Sequence, residues 1–536
     1  MRMRPPMKMR PRMRFLLVIA AAMPLMGQLT NERILSSEKE PGNWLTYSGN
    51  YSGHRYSPLD RINDRNVAGL RPIWVHQVNS LQRLETTPLV ADGVMYITEP
   101  PSHVTALDTR TGKPLWKYRR VFPNDIRVCC GEVNRGVAIL GDLIYVGTVD
   151  AHLVALDAKT GAVRWDTAVA NHKAGYSITV APLAIKDKIV IGMAGGEYGV
   201  RGFLDAYDAK TGKRAWRFWT VPGPGEPGHD SWAGDTWKTG SATTWTTGAY
   251  DPATNLIFWG TGNPGPDWNG DTRGGANLYS DCIVALNADT GVLKWHFQFT
   301  PHDVHDWDST QIPILVEREV RGAMRKLVVL PNRNGFYYAL DRNTGEFLLG
   351  KPYVKQTWAK GLDDSGRPIL QPNITPTLEG APVWPSVSGG NNWYSPTYSP
   401  KTGLLYVAAR EAGSVYFTGD PDYKEGEQFN GGGFRSIPGE EEWGAVRALN
   451  PATAEVVWEH RLFSPPWAGL LSTAGNIVFG ATNEGQFYAL DAATGKPLWR
   501  FQAGGQSRSN PMSYMSDGKQ YIAMSIGNAL YVFGLE

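Results

Sequence analysis

An eleven-residue cassette, Ala-Leu/Tyr-Asp/Asn-x-x-Thr-x-x-x-x-Trp, recurs seven times along this chain, and no other feature constrains the fold as strongly. Five copies are complete: Ala106–Trp116, Ala155–Trp165, Ala206–Trp216, Ala285–Trp295 and Ala489–Trp499. Two are weaker, ALDRNTGEFLL (Ala339–Leu349) and ALNPATAEVVW (Ala448–Trp458). Each reads as strand, tight turn, strand. The apolar pair closes one strand, the Asp/Asn and Thr side chains bond to the turn backbone, and Gly supplies a positive φ. A second strand then ends in Trp. Recurrence at this scale means a closed propeller or a solenoid. Short strands ending in aromatics, with no helical periodicity between them, favour the propeller.

The intervals between successive Asp/Asn anchors, from Asp108 to Asp491, are 49, 51, 79, 54, 109 and 41 residues. A four-stranded blade takes about 40–50 residues, so each short interval is one blade. The interval of 79, between Asp208 and Asn287, holds a blade and a surplus of about 30 residues. That of 109, between Asp341 and Asn450, holds either a blade whose cassette has decayed or a large insertion. Seven visible copies and a degenerate one predict an all-β, eight-bladed β-propeller braced by docked tryptophans. The segment around Trp74 is expected to close the ring against the C-terminal strands. Insertions fall on loop faces, where function tends to sit.

Residues 1–27 read as an export signal, which leaves 28–536 as a single propeller domain. Arg2, Arg4, Lys8, Arg10, Arg12 and Arg14 precede the apolar run Phe15–Met26, whose 12 residues are too few to span a bilayer. Without those six cations the formal charge falls from +2 to −4, which offers no basic groove to nucleic acid. No other segment is apolar enough to form an integral membrane span. Export to the periplasm would place Cys129, Cys130 and Cys282 in an oxidising compartment. None lies in a C-x-x-C-H motif, so no covalent haem c is expected.

Four short segments carry candidate chemistry. In VCCGEVNRG, Cys129 and Cys130 sit about 3.8 Å apart at Cα, closer than the usual disulfide range. They form either a tight ring or two buried thiols. A flat ring, with Arg135 close by in the chain, would suit one face of a planar ligand. In TPHDVHDWDST, His302 and His305 lack a third ligand at a recognisable zinc spacing. Asp306 and Asp308, two apart, would share a face of an extended strand end. Hard oxygen donors there suit Ca²⁺ or another hard cation, with one carboxylate free to act as a base. A turn whose aspartates cap backbone amides explains the same spacing. Glu197 in GGEYGVRG and Asn263 in GTGNPGPDW are oxygen donors in glycine- and proline-framed loops. Each is equally compatible with a local turn. Trp245, in SATTWTTG, taken alone reads as one more of the chain's 20 structural tryptophans.

In this order, CCGEVNRG, GGEYGVRG, GTGNP and PHDVHDWD resemble the motifs of the quinoprotein alcohol dehydrogenases, the methanol dehydrogenase large subunit and its relatives. The resemblance runs over essentially the whole chain after the signal. It implies an eight-bladed propeller that binds pyrroloquinoline quinone (PQQ) and a metal ion. It further implies a Cys129–Cys130 disulfide on one face of PQQ and Trp245 stacked on the other. Glu85, Arg135, Thr179, Arg333 and Trp467, with Asn391 or Asn392, match positions around the cofactor's carboxylates and carbonyls. Glu197 and Asn263 match metal ligands, and Asp306 matches the catalytic base beside the metal. Asp308 departs from the calcium-type enzymes, which carry a small residue there. Lanthanide-dependent relatives have Asp-x-Asp, and an added carboxylate favours a trivalent ion over Ca²⁺. A lanthanide is therefore expected, with Ca²⁺ second.

The implied reaction oxidises a primary alcohol to an aldehyde by hydride transfer to PQQ, with the metal as Lewis acid and Asp306 as general base. Electrons would pass to an external acceptor, a soluble cytochrome c. The physiological alcohol and the oligomeric state, a homodimer included, are left open. The stretch Lys351–Glu442, rich in Pro, Gly and aromatics, is expected to supply loops over the substrate. Two other readings compete. A non-catalytic scaffold of the outer-membrane-assembly lipoprotein type shares the cassette, but it needs neither adjacent cysteines nor the acidic set, and it requires a cysteine at its cleavage site. A PQQ sugar dehydrogenase of the membrane type is expected to begin with several transmembrane helices, which the sequence does not show.

Overall fold

The cassette turns form as their side chains dictate. Asp157 Oδ1 accepts from the backbone N–H of Lys159 and Thr160 and from the Thr160 hydroxyl, at 2.9–3.1 Å. Asp108, Asn287, Asp341 and Asp491 repeat the pattern. The cassette glycines Gly112, Gly161, Gly212, Gly291, Gly345 and Gly495 lie at φ between +68° and +77°, the left-handed region that Gly enters without steric cost. Each cassette turn joins the third and fourth strands of a blade.

The computed structural model describes residues 28–536; the expected export signal, residues 1–27, lies outside them. Eight antiparallel sheets of four strands follow one another in chain order. Blades 1 to 7 occupy 89–118, 138–168, 183–219, 249–298, 314–352, 397–462 and 471–502. Blade 7 also takes a short parallel strand, Tyr56–Ser57. Blade 8 has three C-terminal strands, Met512–Ser516, Lys519–Ile526 and Ala529–Gly534, and its fourth is Arg71–Gln77. The ring is thus closed by the segment around Trp74, as expected. Joining the two ends of the chain in one sheet leaves no open edge between first and last blades.

Tryptophans brace successive blades. The indole N–H of Trp116, Trp165, Trp216, Trp295 and Trp458 donates to a carbonyl in the next blade's cassette turn, namely Ala158, Ala209, Ala288, Arg342 and Ala492, at 3.0–3.2 Å. Trp74 does the same from blade 8 to Thr109 of blade 1. Each ring lies on the receiving cassette's glycine; a Cβ on Gly161 would stand 2.5 Å from Trp116. The two weak cassettes are explained together. Blade 5 ends its cassette in Leu349 instead of Trp, and blade 6 carries Ala454 where the others have Gly. Without the flat ring there is room for the methyl, and Leu349 packs against the cluster that includes Ala454. Gly161→Val should cost about 2–4 kcal/mol, from left-handed backbone strain and displacement of Trp116, read as a lowered urea midpoint.

Both long intervals are insertions on one face. The 109-residue interval contains no decayed cassette: its surplus is 353–396, linking blades 5 and 6, and 412–442, between the second and third strands of blade 6. In the 79-residue interval the surplus is 220–248, between blades 3 and 4, and 261–281, within blade 4. Because strands alternate in direction, loops joining strand 2 to strand 3 and loops joining one blade to the next emerge together. The cassette turns point the opposite way. Regular repeats and irregular insertions therefore occupy opposite faces of the ring.

Candidate active site

Every predicted site residue sits on those two loop classes. Glu85, Cys129, Cys130, Arg135, Thr179, Trp245, Asp306, Asp308, Asn391, Asn392 and Trp467 are on blade-to-blade connections, whereas Glu197, Asn263 and Arg333 are on loops between second and third strands. All of them except Asn391 line one cavity of about 500 Å³. Asn392 reaches the cavity. Asn391 lies behind it, fully buried, and its Oδ1 accepts from the Asn392 backbone N–H.

The cavity is walled by flat groups. Cys129 and Cys130 are joined in a disulfide, so the ring and not the free thiols is what forms, and Cys130 takes φ +63°. Cys282 is buried and unpaired. Cys129 Sγ lies 2.8 Å from Glu197 Oε1; a disulfide sulfur has no proton to give, so this is a packing contact and not a thiolate ligand set. Trp245 lines the same cavity, with the Arg135 guanidinium 4.8 Å from its ring and 4.7 Å from that of Trp393.

One side of the cavity is basic. Arg135 pairs with Glu85 at 2.8 Å and donates to Thr179 Oγ1 at 2.8 Å. Arg410 and Arg508 flank Trp467, 4.3 and 4.7 Å from its ring. Neither of those arginines, nor Arg83 at the cavity wall, forms an ion pair among the described residues. Burial lowers Arg508 to about 10, and the neighbouring Arg83 charge adds to the effect. Arg135 Nε, Arg410 Nε and Asn391 Nδ2 are buried donors without a partner among the described residues. Of the three, only Arg135 Nε belongs to a residue lining the cavity; an unsatisfied buried donor is costly, and an anionic ligand there would satisfy it.

The other side is acidic. Glu197, Asp267, Asp306 and Asp308 line it with Asn263, and among the described residues Arg333 is the one guanidinium that pairs with any of them, bridging Asp306 and Asp308. Arg333 Nη1 donates to Asp308 Oδ2 at 2.5 Å and Nη2 to Asp306 Oδ2 at 3.2 Å. Asp308 Oδ1 also accepts from the Asn263 backbone N–H at 3.0 Å. A Cβ on Gly262 would stand 2.4 Å from that carboxylate, so the glycine of GTGNP is what admits Asp308. Asp306 sits at φ +58°, in a loop and not at the expected strand end. Burial pushes Asp306 well above the usual carboxylate range; Arg333 opposes this, while Asp308, Asp267 and Glu197 push it further. The capping alternative is met by a different residue: Asp303 accepts from the N–H of His305 and Trp307. The histidines do not converge. His305 stacks on Trp307 at 4.3 Å and contacts the Ile374 carbonyl, and His302 contacts the Gly275 carbonyl.

Four carboxylates against one guanidinium is a net deficit that a multivalent hard cation would fill. The basic wall suits a planar polycarboxylate quinone, and the two flat walls suit its faces. The residues present therefore fit both PQQ and a metal. Residues 44–353 and 435–522 match the family described as "PQQ: Glucose/ethanol/alcohol dehydrogenase, beta-propeller domain". The chain belongs to the quinoprotein alcohol dehydrogenase family. It is 42% identical over 542 residues to the quinoprotein alcohol dehydrogenase PedH of Pseudomonas putida, covering 95% of this chain and 91% of that protein. It is 40% identical over 540 residues to the quinohemoprotein alcohol dehydrogenase ADH IIB of Pseudomonas putida, covering 96% and 78%. Among solved structures, a europium-containing methanol dehydrogenase superposes with a TM-score of 0.89 at 34% identity, covering 94% of this chain and all of that one.

Several residues lining this cavity carry no recognisable sequence signal. Arg83 precedes Glu85 by two residues and belongs to no motif, whereas Asp267 and Trp268 follow Asn263 within GTGNPGPDW. Arg508 comes from an unremarked loop. The insertion in blade 6 also reaches across: Phe429 N–H donates to the Glu197 carbonyl at 2.6 Å, and Trp268 N–H to the Asn430 carbonyl at 3.0 Å. Val387, Asn392, Asn430 and Phe434 bring the expected stretch Lys351–Glu442 to the cavity.

Burial raises Glu197 to about 7, its own backbone bond opposing and the Asp308 charge adding. It faces the cavity yet is enclosed by protein. A carboxyl raised in the folded state favours folding below its unfolded value and loses that contribution as pH rises through the folded value. Metal-stripped protein should therefore lose up to about 3 kcal/mol between pH 4.5 and 7 from this group, and saturating La³⁺ should remove the loss. Urea midpoints at the two pH values, with and without La³⁺, measure it.

Proposed function

We propose that this quinoprotein oxidises a primary alcohol to an aldehyde in the periplasm, using PQQ and a lanthanide ion, with electrons leaving to a soluble cytochrome c. The observation that carries the reading is the convergence of Glu197, Asn263, Asp306 and Asp308 on one cavity walled by the disulfide and Trp245. The names of its relatives favour alcohols over sugars and an enzyme over a scaffold. No helix among the described residues is long and apolar enough to cross a membrane.

Arg135, braced by Glu85, together with Thr179, Arg333, Asn392, Trp467 and the unpaired Arg508 would hold the cofactor's carboxylates and carbonyls. Glu197, Asn263, Asp306 and Asp308 would hold the cation. When bound, PQQ supplies a two-electron acceptor and the ion a Lewis acid. This chain's own task is the proton. Asp306 retains 23% side-chain exposure toward the cavity, where a substrate hydroxyl can reach it. With its acidic neighbours neutralised by a cation and Arg333 beside it, Asp306 stays ionised and accepts the hydroxyl proton as the carbon–hydrogen bond breaks. Trp268 and Phe434, whose ring centroids are 5.6 Å apart, add an aromatic wall to the same cavity.

Reconstitution of apoprotein with PQQ and either La³⁺ or Ca²⁺, followed by an alcohol and aldehyde panel with an artificial acceptor, tests the proposal. Alcohol-dependent dye reduction restored preferentially by La³⁺ is the expected result. Equal activation by both ions would overturn the lanthanide assignment, and no alcohol-dependent reduction with either would overturn the activity.

A further inference from the structure

Asn263 can serve a cation only through Oδ1, and the direction of its amide is set by its neighbours. Nδ2 donates to Asp267 Oδ1 at 2.7 Å and lies 3.4 Å from the Pro264 carbonyl. Both amide protons are thereby engaged, an assignment that the carboxylate acceptor dictates. The backbone N–H is held separately by Asp308 at 3.0 Å. Oδ1 makes no hydrogen bond among the described residues. Rotating the amide by half a turn would set Oδ1 against the Asp267 carboxylate and aim two donor protons at the cation.

Asp267 is otherwise unexplained. It is 2% exposed, it lines the cavity, and its side chain's one hydrogen bond among the described residues is from Asn263. No Lys or Arg pairs with it among those residues. A buried carboxylate without a cationic partner is costly and is kept where it performs a task. It also lies outside the ligand set that the family resemblance implies.

We propose that Asp267 is a positioning residue for the cation site, holding the Asn263 amide so that Oδ1 and not Nδ2 is presented to the ion. This rests on the reading that Glu197, Asn263, Asp306 and Asp308 bind a cation. Groups that orient metal ligands are worth about 10–100-fold in metal affinity. The orienting contact needs an acceptor oxygen at position 267, not a charge, which separates Asp267→Asn from Asp267→Ala.

The test is Tb³⁺ binding to the PQQ-loaded full-length protein, read by tryptophan-sensitised luminescence. Europium lifetimes in H₂O and D₂O count coordinated water. Asp267→Ala should weaken Tb³⁺ binding about tenfold or more, close to Asn263→Ala, and each should admit about one extra water to the ion. Asp267→Asn should stay within about threefold of wild type, which also guards against a mere folding defect. The double variant Asp267→Ala/Asn263→Ala should bind no more weakly than Asn263→Ala, because one residue acts through the other. Additive losses, unchanged binding in Asp267→Ala, or equal loss in Asp267→Asn and Asp267→Ala would each overturn the proposal. Wild-type protein that fails to bind Tb³⁺ would instead refute the underlying cation site.

Discussion

The Asp306→Asn enzyme, loaded with PQQ and La³⁺, should lose alcohol-dependent dye reduction by about 10²–10⁴-fold while still binding its cofactor. Asparagine has nearly the same shape and can keep a contact to Arg333 Nη2, now 3.2 Å from Asp306 Oδ2. What it cannot do is take a proton. The loss should fall on kcat and on kcat/KM together, since the missing interaction belongs to the transition state. Cofactor absorbance after gel filtration, and La³⁺ retention, distinguish lost chemistry from a lost ligand. Near-normal turnover in a fully loaded variant would remove Asp306 from the role of base. The left-handed backbone at Asp306, φ +58°, is tolerable for Asp and Asn alike, so the substitution adds no new strain.

Asp308→Ala should move cation preference from La³⁺ towards Ca²⁺. Two unit charges 4 Å apart interact by about 4 kcal/mol at an effective dielectric of 20, and a trivalent ion carries one more such interaction than a divalent one. Realising even a third of that changes the La³⁺/Ca²⁺ ratio about tenfold. The same side chain holds Arg333 Nη1 and the Asn263 N–H, so overall affinity should fall as well. Asp308→Asn, which conserves volume, separates the two effects: it should keep the backbone contact and lose the charge selectivity. Activation titrations with both ions measure the shift. An unchanged ratio would assign the trivalent preference elsewhere, and Asp267 would be the next carboxylate to test.

The propeller was legible because its signal is local and repeated. An Asp or Asn closing its own turn two and three residues on, and a Trp docking on a Gly one blade away, recur in most of the blades and survive in the residue string. Even the paired failures at Leu349 and Ala454 leave a visible mark, since ring and methyl cannot share the space. The site was legible differently. CCGEVNRG, GGEYGVRG, GTGNP and PHDVHDWD became informative only as a family pattern; taken singly, Glu197 and Asn263 looked like turn residues. In the fourth motif the spacing singles out Asp306 and Asp308, which face the cavity, while Asp303 caps the loop instead.

By itself the sequence determined the ring, its blade count, its closure by the Trp74 strand and the two long intervals that had to hold extra chain. Only the tertiary structure decided that the interval of 109 is an insertion and not a decayed cassette, that Asn392 and not Asn391 reaches the cavity, and that Asp267, Arg83 and Arg508 belong to it. The physical reason is the alternation of strand direction. Cassette turns all emerge on one face and repeat, whereas the lining residues emerge on the other from loops spread between Arg83 and Arg508. Nothing in their local sequence marks the point at which closing the ring brings them together.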